Sequence, residues 1–256
     1  MSMIEDLFSL RGRTALVTGG SSGIGGAMAE AIAGAGARTV LLARREGPLR
    51  EAVERIAELG GEAYAVSADI TDRAALARAA EEAVGHVGEI DILVNCAANM
   101  WRPPLAELTT GQWDALFAAN VDAPFLLGQR FGPGMAERGW GRIVNVGSQQ
   151  SISAFGNSGG YGAAKAALAG LTRSQAEAWS ARGVSVNTVI PGFVLTPLTA
   201  ETAKDEQRVA ALAARHMSGR NGLPADFRGA AVFLASEAAR FVTGQMLFVD
   251  GGFSVH

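Results

Sequence analysis

Short apolar runs alternate with alanine-rich stretches along the whole chain, and this alternation predicts parallel strands joined by helices. Several runs are continuously apolar, which is typical of strands that helices cover on both faces. The pattern therefore predicts an α/β fold with a doubly wound parallel sheet of about seven strands. The predicted strands are Thr14 to Thr18, Thr39 to Ala43, Ala63 to Ser67, Ile90 to Asn95, Arg142 to Gly147, Ser185 to Ile190 and Met246 to Val249.

The helical stretches fill the intervals between these strands, at about 24–35, 47–59, 72–87, 112–137, 160–181 and 225–236. Because no linker, repeat or low-complexity tract divides the chain, residues 1–256 are predicted to form a single domain. The stretch at about 193–222 is mostly helix-forming and follows the sixth strand. Open α/β sheets bind ligands beyond the carboxyl ends of their strands, so we predict a helical substrate lid there. A plain surface insertion is the alternative.

The charge and composition of the chain argue against several classes of partner and of site. The net charge is −3 and no basic stripe is present, which argues against nucleic acid or an acidic membrane surface as a partner. No apolar stretch approaches the roughly 20 residues of a membrane helix, and acids stand where a secretory signal would carry basic residues. The single cysteine, Cys96, and three scattered histidines predict no disulfide and no metal site. A cytoplasmic location is expected.

A glycine-rich turn follows the first predicted strand. The strand ends at Thr18 and a helix begins near Ile24, so Gly19, Gly23 and Gly25 lie in the turn between them, together with Ser21 and Ser22. Glycines let the backbone approach a pyrophosphate, and the free N–H groups and dipole of the helix favour its charge. A merely tight strand-to-helix turn is the alternative, since a glycine motif alone is weak evidence. The context of strand, turn and helix favours a dinucleotide.

The second strand ends in two arginines where a site for NAD usually places an acid. Arg44 and Arg45 offer guanidinium groups that suit the additional 2′-phosphate of NADP, so NADP(H) is predicted over NAD(H). Glu46 is interpreted as a helix N-terminal charge. Asp69 follows the third strand and could reach an adenine amino group or simply begin a turn. An ordinary solvated pair is the alternative for the two arginines.

Tyr161 and Lys165 are four residues apart in a predicted helix, with Ser148 thirteen residues upstream. Residues at i and i+4 share one helix face, so the ammonium can favour the tyrosinate. A tyrosine has a reference pKa near 10, and without a nearby cation it would be a poor base at neutral pH. The three side chains predict an acid/base site.

These residues, in this order and spacing, resemble the short-chain dehydrogenase/reductase family over essentially the whole chain. The pattern is that of its shorter single-domain members, of the gluconate 5-dehydrogenase and 3-oxoacyl carrier protein reductase type. The matching pieces are Thr18 to Gly25, Asp69, Asn95, Asn120, Ser148, Tyr161 with Lys165, Pro191-Gly192 with Thr196, and Val249 to Gly252. The resemblance implies a Rossmann-type fold and an NAD(P)(H)-dependent enzyme that interconverts a secondary alcohol and a ketone.

The resemblance also assigns roles. Ser148 would bind the substrate oxygen, Tyr161 would transfer the proton, Lys165 would bind the nicotinamide ribose, and Asn120 would hold a water that connects Lys165 to solvent. The cofactor would be bound by Gly19, Ser21, Ser22, Gly23, Ile24, Gly25, Arg44, Arg45, Asp69, Ile70, Asn95, Ala97, Tyr161, Lys165, Pro191, Gly192, Val194 and Thr196. A homotetramer would form through the long helices at about 112–137 and 160–181.

By the same resemblance, amides and aromatic side chains line the substrate pocket. They are Asn99, Met100, Trp101, Gln149, Gln150, Phe155, Asn157 and Phe193, of which Trp101, Gln149, Gln150, Asn157 and Phe193 are the principal substrate candidates. The amides favour a polyol or a sugar acid, and the aromatic rings favour the alternative of an apolar, 3-oxoacyl-type ketone. An alternative of another class is a non-catalytic nucleotide-binding scaffold or sensor, against which the intact Ser148, Tyr161 and Lys165 argue.

Overall fold

The computed structural model of the protein describes residues 2–256 and shows seven parallel strands in one sheet. The strand order is β3-β2-β1-β4-β5-β6-β7, so the order reverses between β1 and β4. All of the predicted strands are present within one or two residues of their predicted ends, and the predicted fold class is confirmed. The strands are β1 Thr14–Thr18, β2 Arg38–Ala43, β3 Glu62–Ser67, β4 Ile92–Asn95, β5 Gly141–Val146, β6 Val184–Pro191 and β7 Met246–Val249.

Helices connect the strands and cover both faces of the sheet, as in a Rossmann-like fold. They are α1 Met3–Phe8, α2 Gly23–Gly34, α3 Glu46–Glu58, α4 Arg73–Val87, α5 Thr110–Phe117, α6 Ala123–Glu137, α7 Gly159–Trp179, α8 Ala200–Ala203, α9 Glu206–Ala214 and α10 Arg228–Ala235. Local signals explain several of their ends. Asp72 accepts hydrogen bonds from the backbone at the start of α4, and Thr109 forms a capping box with Gln112 at the start of α5.

Two apolar clusters, one on each face of the sheet, form the core. Met28 and Ile32 of α2 and Leu234 of α10 belong to one cluster, whereas Leu127 and Phe131 of α6 belong to the other. All five side chains are 1% exposed or less. Fully burying an aliphatic or aromatic side chain of this size stabilises a fold by about 1.5–3 kcal/mol, so the two layers hold the sheet from both sides and fix the positions of its strand ends.

The long helix predicted at 112–137 differs from the structure in one respect. It is divided into α5 and α6 by a π-helical turn, Ala118–Asp122, which contains Asn120. Such turns are rare and occur often at functional sites. The helix α1 is a second difference, because the sequence interpretation assigned no element there. Its start carries a capping box between Ser2 and Glu5, a signal that was present in the sequence.

The predicted helical stretch after β6 is present as two short helices, α8 and α9, divided at Asp205. Asp205 accepts a hydrogen bond from the Arg208 backbone and so begins α9. Beyond α9 the chain returns to the loop after β6, where Val194 and Gly222 form a single parallel bridge. Within residues 2–256, no helix combines the length and the apolar character needed to cross a membrane.

Candidate active site

A cleft with a volume of about 550 Å³ opens at the carboxyl ends of the strands. It lies where the strand order reverses between β1 and β4, which is the usual ligand position in an open α/β sheet. The glycine turn, the ends of β2 and β3, the loops after β4, β5 and β6, the start of α7, the helices α8 and α9, and the C-terminal turn all contribute to its walls. Most residues predicted to be in the site thus meet in one place.

The glycine turn has the backbone geometry that a dinucleotide pyrophosphate requires. Gly19 and Gly23 have φ angles of 69° and 58°, which side chains other than glycine adopt rarely. A Cβ on Gly25 would overlap the carbonyl oxygen of Gly19. Ser22 begins α2 without a side-chain cap, so the first N–H groups of α2 keep their hydrogen-bonding capacity for a ligand. The turn therefore fits a pyrophosphate.

The opposite wall of this half of the cleft carries charged groups from β2 and β3. Arg44 lies 3.9 Å from Asp69, measured between Nη1 and Oδ2, and both side chains are substantially exposed. Burial raises the pKa of Asp69, but hydrogen bonds from Thr71 and the charge of Arg44 outweigh it, and the pKa is lowered. Glu46 begins α3 and pairs with Arg50 at 2.6 Å, as expected of a helix N-terminal acid. Arg45 and Ile70 also line the cleft.

Tyr161, Ser148 and Lys165 meet in the middle of the cleft. Tyr161 and Lys165 are 6% and 2% exposed, and the Lys165 Nζ lies 5.7 Å from the centroid of the Tyr161 ring. Ser148 forms a hydrogen bond with the Tyr161 hydroxyl. The Lys165 ammonium donates to the Val146 carbonyl oxygen at 2.7 Å, which holds it at the end of β5. The predicted shared helix face is present, in α7.

The pKa of Tyr161 differs from the expectation. We expected the Lys165 ammonium to lower the pKa of Tyr161. For the polypeptide itself this is wrong, because burial raises that pKa to about 12 and the hydrogen bond with Ser148 offsets it only in part. Burial also lowers the pKa of Lys165 to about 8. In the polypeptide alone, burial thus outweighs the groups that lower the pKa of Tyr161.

Asn120 is 1% exposed and lies in the π-helical turn rather than in the cleft wall. Its amide nitrogen donates to the Asn99 carbonyl oxygen at 3.0 Å and to the Leu116 carbonyl oxygen at 2.9 Å. Its Oδ1 is buried, and no partner for it exists among residues 2–256. The widened turn thus directs an unused acceptor inward, behind the loop that carries Asn99.

The remaining predicted cofactor residues do not all line the cleft. Pro191, Gly192, Val194 and Thr196 line the cleft in the loop after β6, and Ala97 lines it in the loop after β4. Asn95 does not, since its side chain is buried in the sheet and donates to Asn145 Oδ1 at 2.8 Å. The side chain that was predicted as a cofactor contact is thus used to join β4 to β5.

The predicted substrate residues also separate into two groups. Gln149, Gln150 and Phe193 line the cleft, as do Asn99, Met100 and Phe155, whereas Trp101 and Asn157 lie outside its walls. Trp101 is 42% exposed, and Asn157 has a φ of 58° in an exposed loop. The Gln149 amide nitrogen is used by Asp250, to which it donates at 2.6 Å. Gln150 Oε1 is buried, and among residues 2–256 it has no partner.

Two arginines at the substrate end were missed by sequence reasoning. Arg102 lines the cleft beside Met100, and its Nη2 donates to the Gly156 carbonyl oxygen at 2.7 Å. Its Nε is buried, with no hydrogen-bond partner in the described part of the chain. Burial and the charge of Arg208 lower the pKa of Arg102, and Tyr161 raises it. Arg208 lines the cleft from α9, and no local sequence pattern connects it with Arg102.

Comparisons with known proteins agree with this geometry. A family model described as Enoyl-(Acyl carrier protein) reductase matches residues 19–254. A gluconate 5-dehydrogenase of Gluconobacter oxydans (strain 621H) is 40% identical over 250 residues, which cover 98% of this chain and 98% of the relative. A solved structure from Beutenbergia cavernae, named provisionally as an NAD(P)-dependent gluconate 5-dehydrogenase and carrying NADP at low occupancy, is 43% identical. Its TM-score is 0.93, over 98% of this chain and 100% of that chain.

A second solved structure shows a gluconate 5-dehydrogenase from Burkholderia cenocepacia J2315 in complex with NADP and tartrate. It is 37% identical, with a TM-score of 0.93 and coverage of 99% of both chains. These relatives are enzymes, so the prediction of an enzyme is confirmed and the alternative of a non-catalytic scaffold is not. The protein is an oxidoreductase that acts on CH–OH groups with a nicotinamide cofactor. By its sequence, its fold and its relatives, the chain belongs to the short-chain dehydrogenase/reductase family.

Proposed function

We propose that this oxidoreductase prefers NADP(H) and interconverts a secondary alcohol and a ketone on a sugar acid. The observation that carries the substrate class is Arg102, whose charged side chain lies at the substrate end of the cleft with Nε buried and unpartnered. Leaving a buried donor of a charged group unpaired is costly, so such an atom favours a ligand that supplies the acceptor. A carboxylate does so, and it also neutralises the charge.

Arg208 of α9 also favours an acidic substrate. Two guanidinium groups that repel one another are brought together by the loop after β4 and by α9. A bound carboxylate would offset that repulsion and could accept charge-assisted hydrogen bonds from one or both groups. The tartrate in the complex of the Burkholderia relative is itself a hydroxy acid. A neutral polyol would leave both charges uncompensated.

Gln150 supports the sugar part of the substrate. Its Oε1 is a buried acceptor without a partner among residues 2–256, and it lines the cleft. A substrate hydroxyl could donate to it, and this would remove the cost of the unpaired oxygen. Phe155, Phe193 and Met100 line the same region. They favour a 3-oxoacyl-type ketone as the second candidate substrate.

The proposed preference for NADP(H) rests on the end of β2. Arg44 and Arg45 line the cleft there, and the Arg44 side chain is 66% exposed. Its contact with Asp69 is long, and such an exposed pair contributes little stability, so the guanidinium stays available for a phosphate. The nearby acid Glu46 pairs with Arg50. No acid of the NAD-binding type therefore stands at this strand end.

When bound, the nicotinamide supplies or accepts the hydride at the substrate carbon. In ketone reduction we assign the proton to the Tyr161 hydroxyl, which passes it to the carbonyl oxygen, while Ser148 donates a hydrogen bond to the same oxygen. With a pKa of about 12 in the polypeptide, Tyr161 carries its proton at neutral pH and is prepared to act as the acid. In the reverse direction Tyr161 first gives its own proton to deprotonated Lys165 and then accepts the proton of the alcohol.

Lys165 and Asn120 would complete the proton path. Lys165 has a pKa of about 8, so near neutral pH it can both release and regain a proton beside Tyr161. We assign to it the additional role of holding the nicotinamide ribose. The unpartnered Asn120 Oδ1 would hold the water that links this pair to solvent. The two carbonyl oxygens that accept from its amide nitrogen fix the orientation of that acceptor.

We propose a cytoplasmic homotetramer in which residues 1–256 form one domain and residues 193–222 act as the substrate lid. Trp113 on α5 and Phe125 on α6 support an assembly, because these large apolar side chains are 40% and 43% exposed. The lid is supported by α8 and α9, which bring Thr202, Arg208 and Leu212 to the cleft.

The substrate proposal is tested with three ketones of matched reactivity: a keto-sugar acid, the neutral ketose of equal carbon number, and a 3-oxoacyl thioester. We expect NADPH-dependent reduction to be fastest with the acid. In Arg102→Met, kcat/KM for the acid should fall about 100-fold, the effect of losing nearly 3 kcal/mol of charge-assisted hydrogen bonding, and the neutral ketose should change little. Arg78→Met, on the exposed face of α4, is the control. An equal loss for both sugars, or a preference for the thioester, would contradict the proposal.

A further inference from the structure

One buried histidine joins three separate segments of the cleft wall. His216 follows the end of α9 and is 3% exposed. Its Nδ1 lies 2.8 Å from the Leu212 carbonyl oxygen, and its Nε2 lies 3.3 Å from the Phe193 backbone nitrogen. A carbonyl can only accept and a backbone N–H can only donate. The partners therefore assign the proton to Nδ1, and Nε2 is left to accept as a neutral imidazole.

The ring has a third partner in the C-terminal turn. Its centroid lies 4.9 Å from that of the Phe253 ring, at an interplanar angle of 57°. Ser218, two residues further on, donates its backbone N–H to the Gly251 carbonyl oxygen at 3.0 Å. Leu212, Phe193 and Phe253 all line the cleft. One imidazole thus connects the lid helix α9, the loop after β6 and the C-terminal turn.

The loop after β6 is shaped around this histidine. A Cβ on Gly192 would lie 2.6 Å from His216 Nε2 and 3.0 Å from the Asp250 carbonyl oxygen, so only a glycine lets the ring come so close. Gly222 holds the same loop from another side, since it donates to the Phe193 carbonyl oxygen at 2.8 Å. The backbone at 192–193 is therefore fixed by contacts from the segment that follows the lid helix.

We propose that His216 is a positioning residue that couples the lid to the nicotinamide end of the cleft. Its imidazole holds the backbone of Gly192 and Phe193 in a fixed relation to α9, so that the two walls move together. The inference rests on the proposed placement of the nicotinamide beside Gly192. It is not an acid/base role, because the partner of Nδ1 is a carbonyl oxygen, which can orient the ring but cannot take up its proton.

A misplaced loop should affect hydride transfer more than cofactor affinity. The glycine turn and the arginines after β2 lie at the other end of the cleft and would keep the dinucleotide bound. Reaction rates, in contrast, are sensitive to displacements of about 1 Å between reacting atoms. Loss of the Phe193 hydrogen bond should therefore slow the chemical step while leaving the binding of NADPH nearly unchanged.

The test compares His216→Phe with His216→Gln in the full-length protein. Phenylalanine keeps a ring but offers no acceptor, whereas the glutamine amide oxygen can accept from Phe193. We expect hydride transfer to slow about tenfold in His216→Phe, as a loss of about 1.4 kcal/mol implies, with NADPH affinity within about twofold. The deuterium isotope effect on kcat should rise, and His216→Gln should restore most of the rate. The matched control is His86→Phe, because His86 is an exposed residue that stacks on Tyr64 far along α4.

A second readout does not depend on turnover. In His216→Phe the Phe193 amide should exchange with deuterium about tenfold faster, since its acceptor is removed. An unchanged exchange rate and an unchanged isotope effect would overturn the inference. So would equal losses in both variants with a lowered melting temperature and no change in isotope effect, which would indicate a structural role alone. If the wild-type protein reduces no keto-sugar acid, the proposed function is contradicted. The exchange rate of the Phe193 amide then decides by itself whether His216 positions the loop.

Discussion

The two ends of the cleft meet at Tyr161 and Lys165, yet they present different kinds of atoms to a ligand. At the glycine turn the backbone itself forms the site, through positive φ angles at Gly19 and Gly23 and the uncapped start of α2. At the substrate end, side chains form it, and Arg102 Nε is buried there without a partner among residues 2–256. A backbone site depends little on the identity of its side chains. A side-chain site can change its ligand through single substitutions.

The largest effect is expected where the two ends meet. Tyr161→Phe keeps the ring and its packing but removes the hydroxyl that we assign to proton transfer. Because general acid/base groups contribute typically 10²–10⁴-fold, NADPH oxidation should fall by about 10³-fold. Fluorescence titration of NADPH should show nearly unchanged binding, which separates the chemistry from the backbone site. Turnover within a few-fold of the wild type would contradict the assigned role.

The next effect should be confined to the cofactor end. Arg44→Gln removes one guanidinium from the end of β2, and we expect KM for NADPH to rise at least about tenfold, as the loss of a charge-assisted hydrogen bond implies. KM for NADH should stay constant, and the ranking of substrates should not change. Steady-state kinetics with both cofactors measure this. Arg45→Gln in parallel shows whether the second guanidinium shares the phosphate, and an equal change for NADH and NADPH in both variants would refute the preference.

A smaller effect should be confined to the substrate end. Gln150→Leu removes a buried acceptor, and kcat/KM for a polyhydroxy ketone should fall about fivefold, the effect of one net hydrogen bond. Binding of NADPH should not change. A simple ketone without hydroxyl groups serves as the matched substrate, and it should react no more slowly with the variant. If both ketones lose activity equally, Gln150 acts on the fold or on Ser148 and does not recognise hydroxyl groups.

The last effect concerns stability and its dependence on pH, and it should leave the ligand preferences of both ends unchanged. The pKa of Lys165 is about 8 in the folded protein against an ordinary value of 10.5, so between these values the unfolded chain binds more protons. Stability from this group therefore rises with pH through that window, by up to about 2 kcal/mol by pH 10. Melting temperatures of wild type and Lys165→Met at pH 7 and pH 10 measure it, with the wild type gaining relative to the variant. A parallel pH dependence of the two would show that the pKa is not lowered.

The difference between the cofactor end and the substrate end also explains which parts of the site could be predicted from the sequence. The strands and the glycine turn carry local signals, since β-branched runs, glycines and helix starts act within a few residues, and the predicted strands matched the structure closely. Arg102 and Arg208 carry none. They are more than 100 residues apart and meet only because the loop after β4 and α9 close over the same end of the sheet. A lone arginine in a loop is more often solvated, so its sequence position gave no reason to select it.

Two residues assigned by the resemblance do not line the cleft, and the reasons are related. The resemblance placed Asn95 among the cofactor residues, but its side chain donates to Asn145, which lies at the same register of the neighbouring strand. The resemblance placed Trp101 in the substrate pocket, yet it is 42% exposed while the charged neighbour Arg102 lines the cleft. Which of two adjacent loop residues faces inward depends on the loop backbone, and periodicity does not determine that backbone.

The π-helical turn at Ala118–Asp122 has a consequence for the evolution of this chain. A single π turn amounts to one residue inserted into an otherwise regular helix, and each α-helical residue rotates the chain by about 100°. Because the wider turn absorbs that extra residue, Leu127, Phe131 and Met135 keep the phase of a regular helix and face the core, where each is at most 1% exposed. A change of one residue in the chain can thus add or remove the wide turn that carries Asn120 without repacking α6.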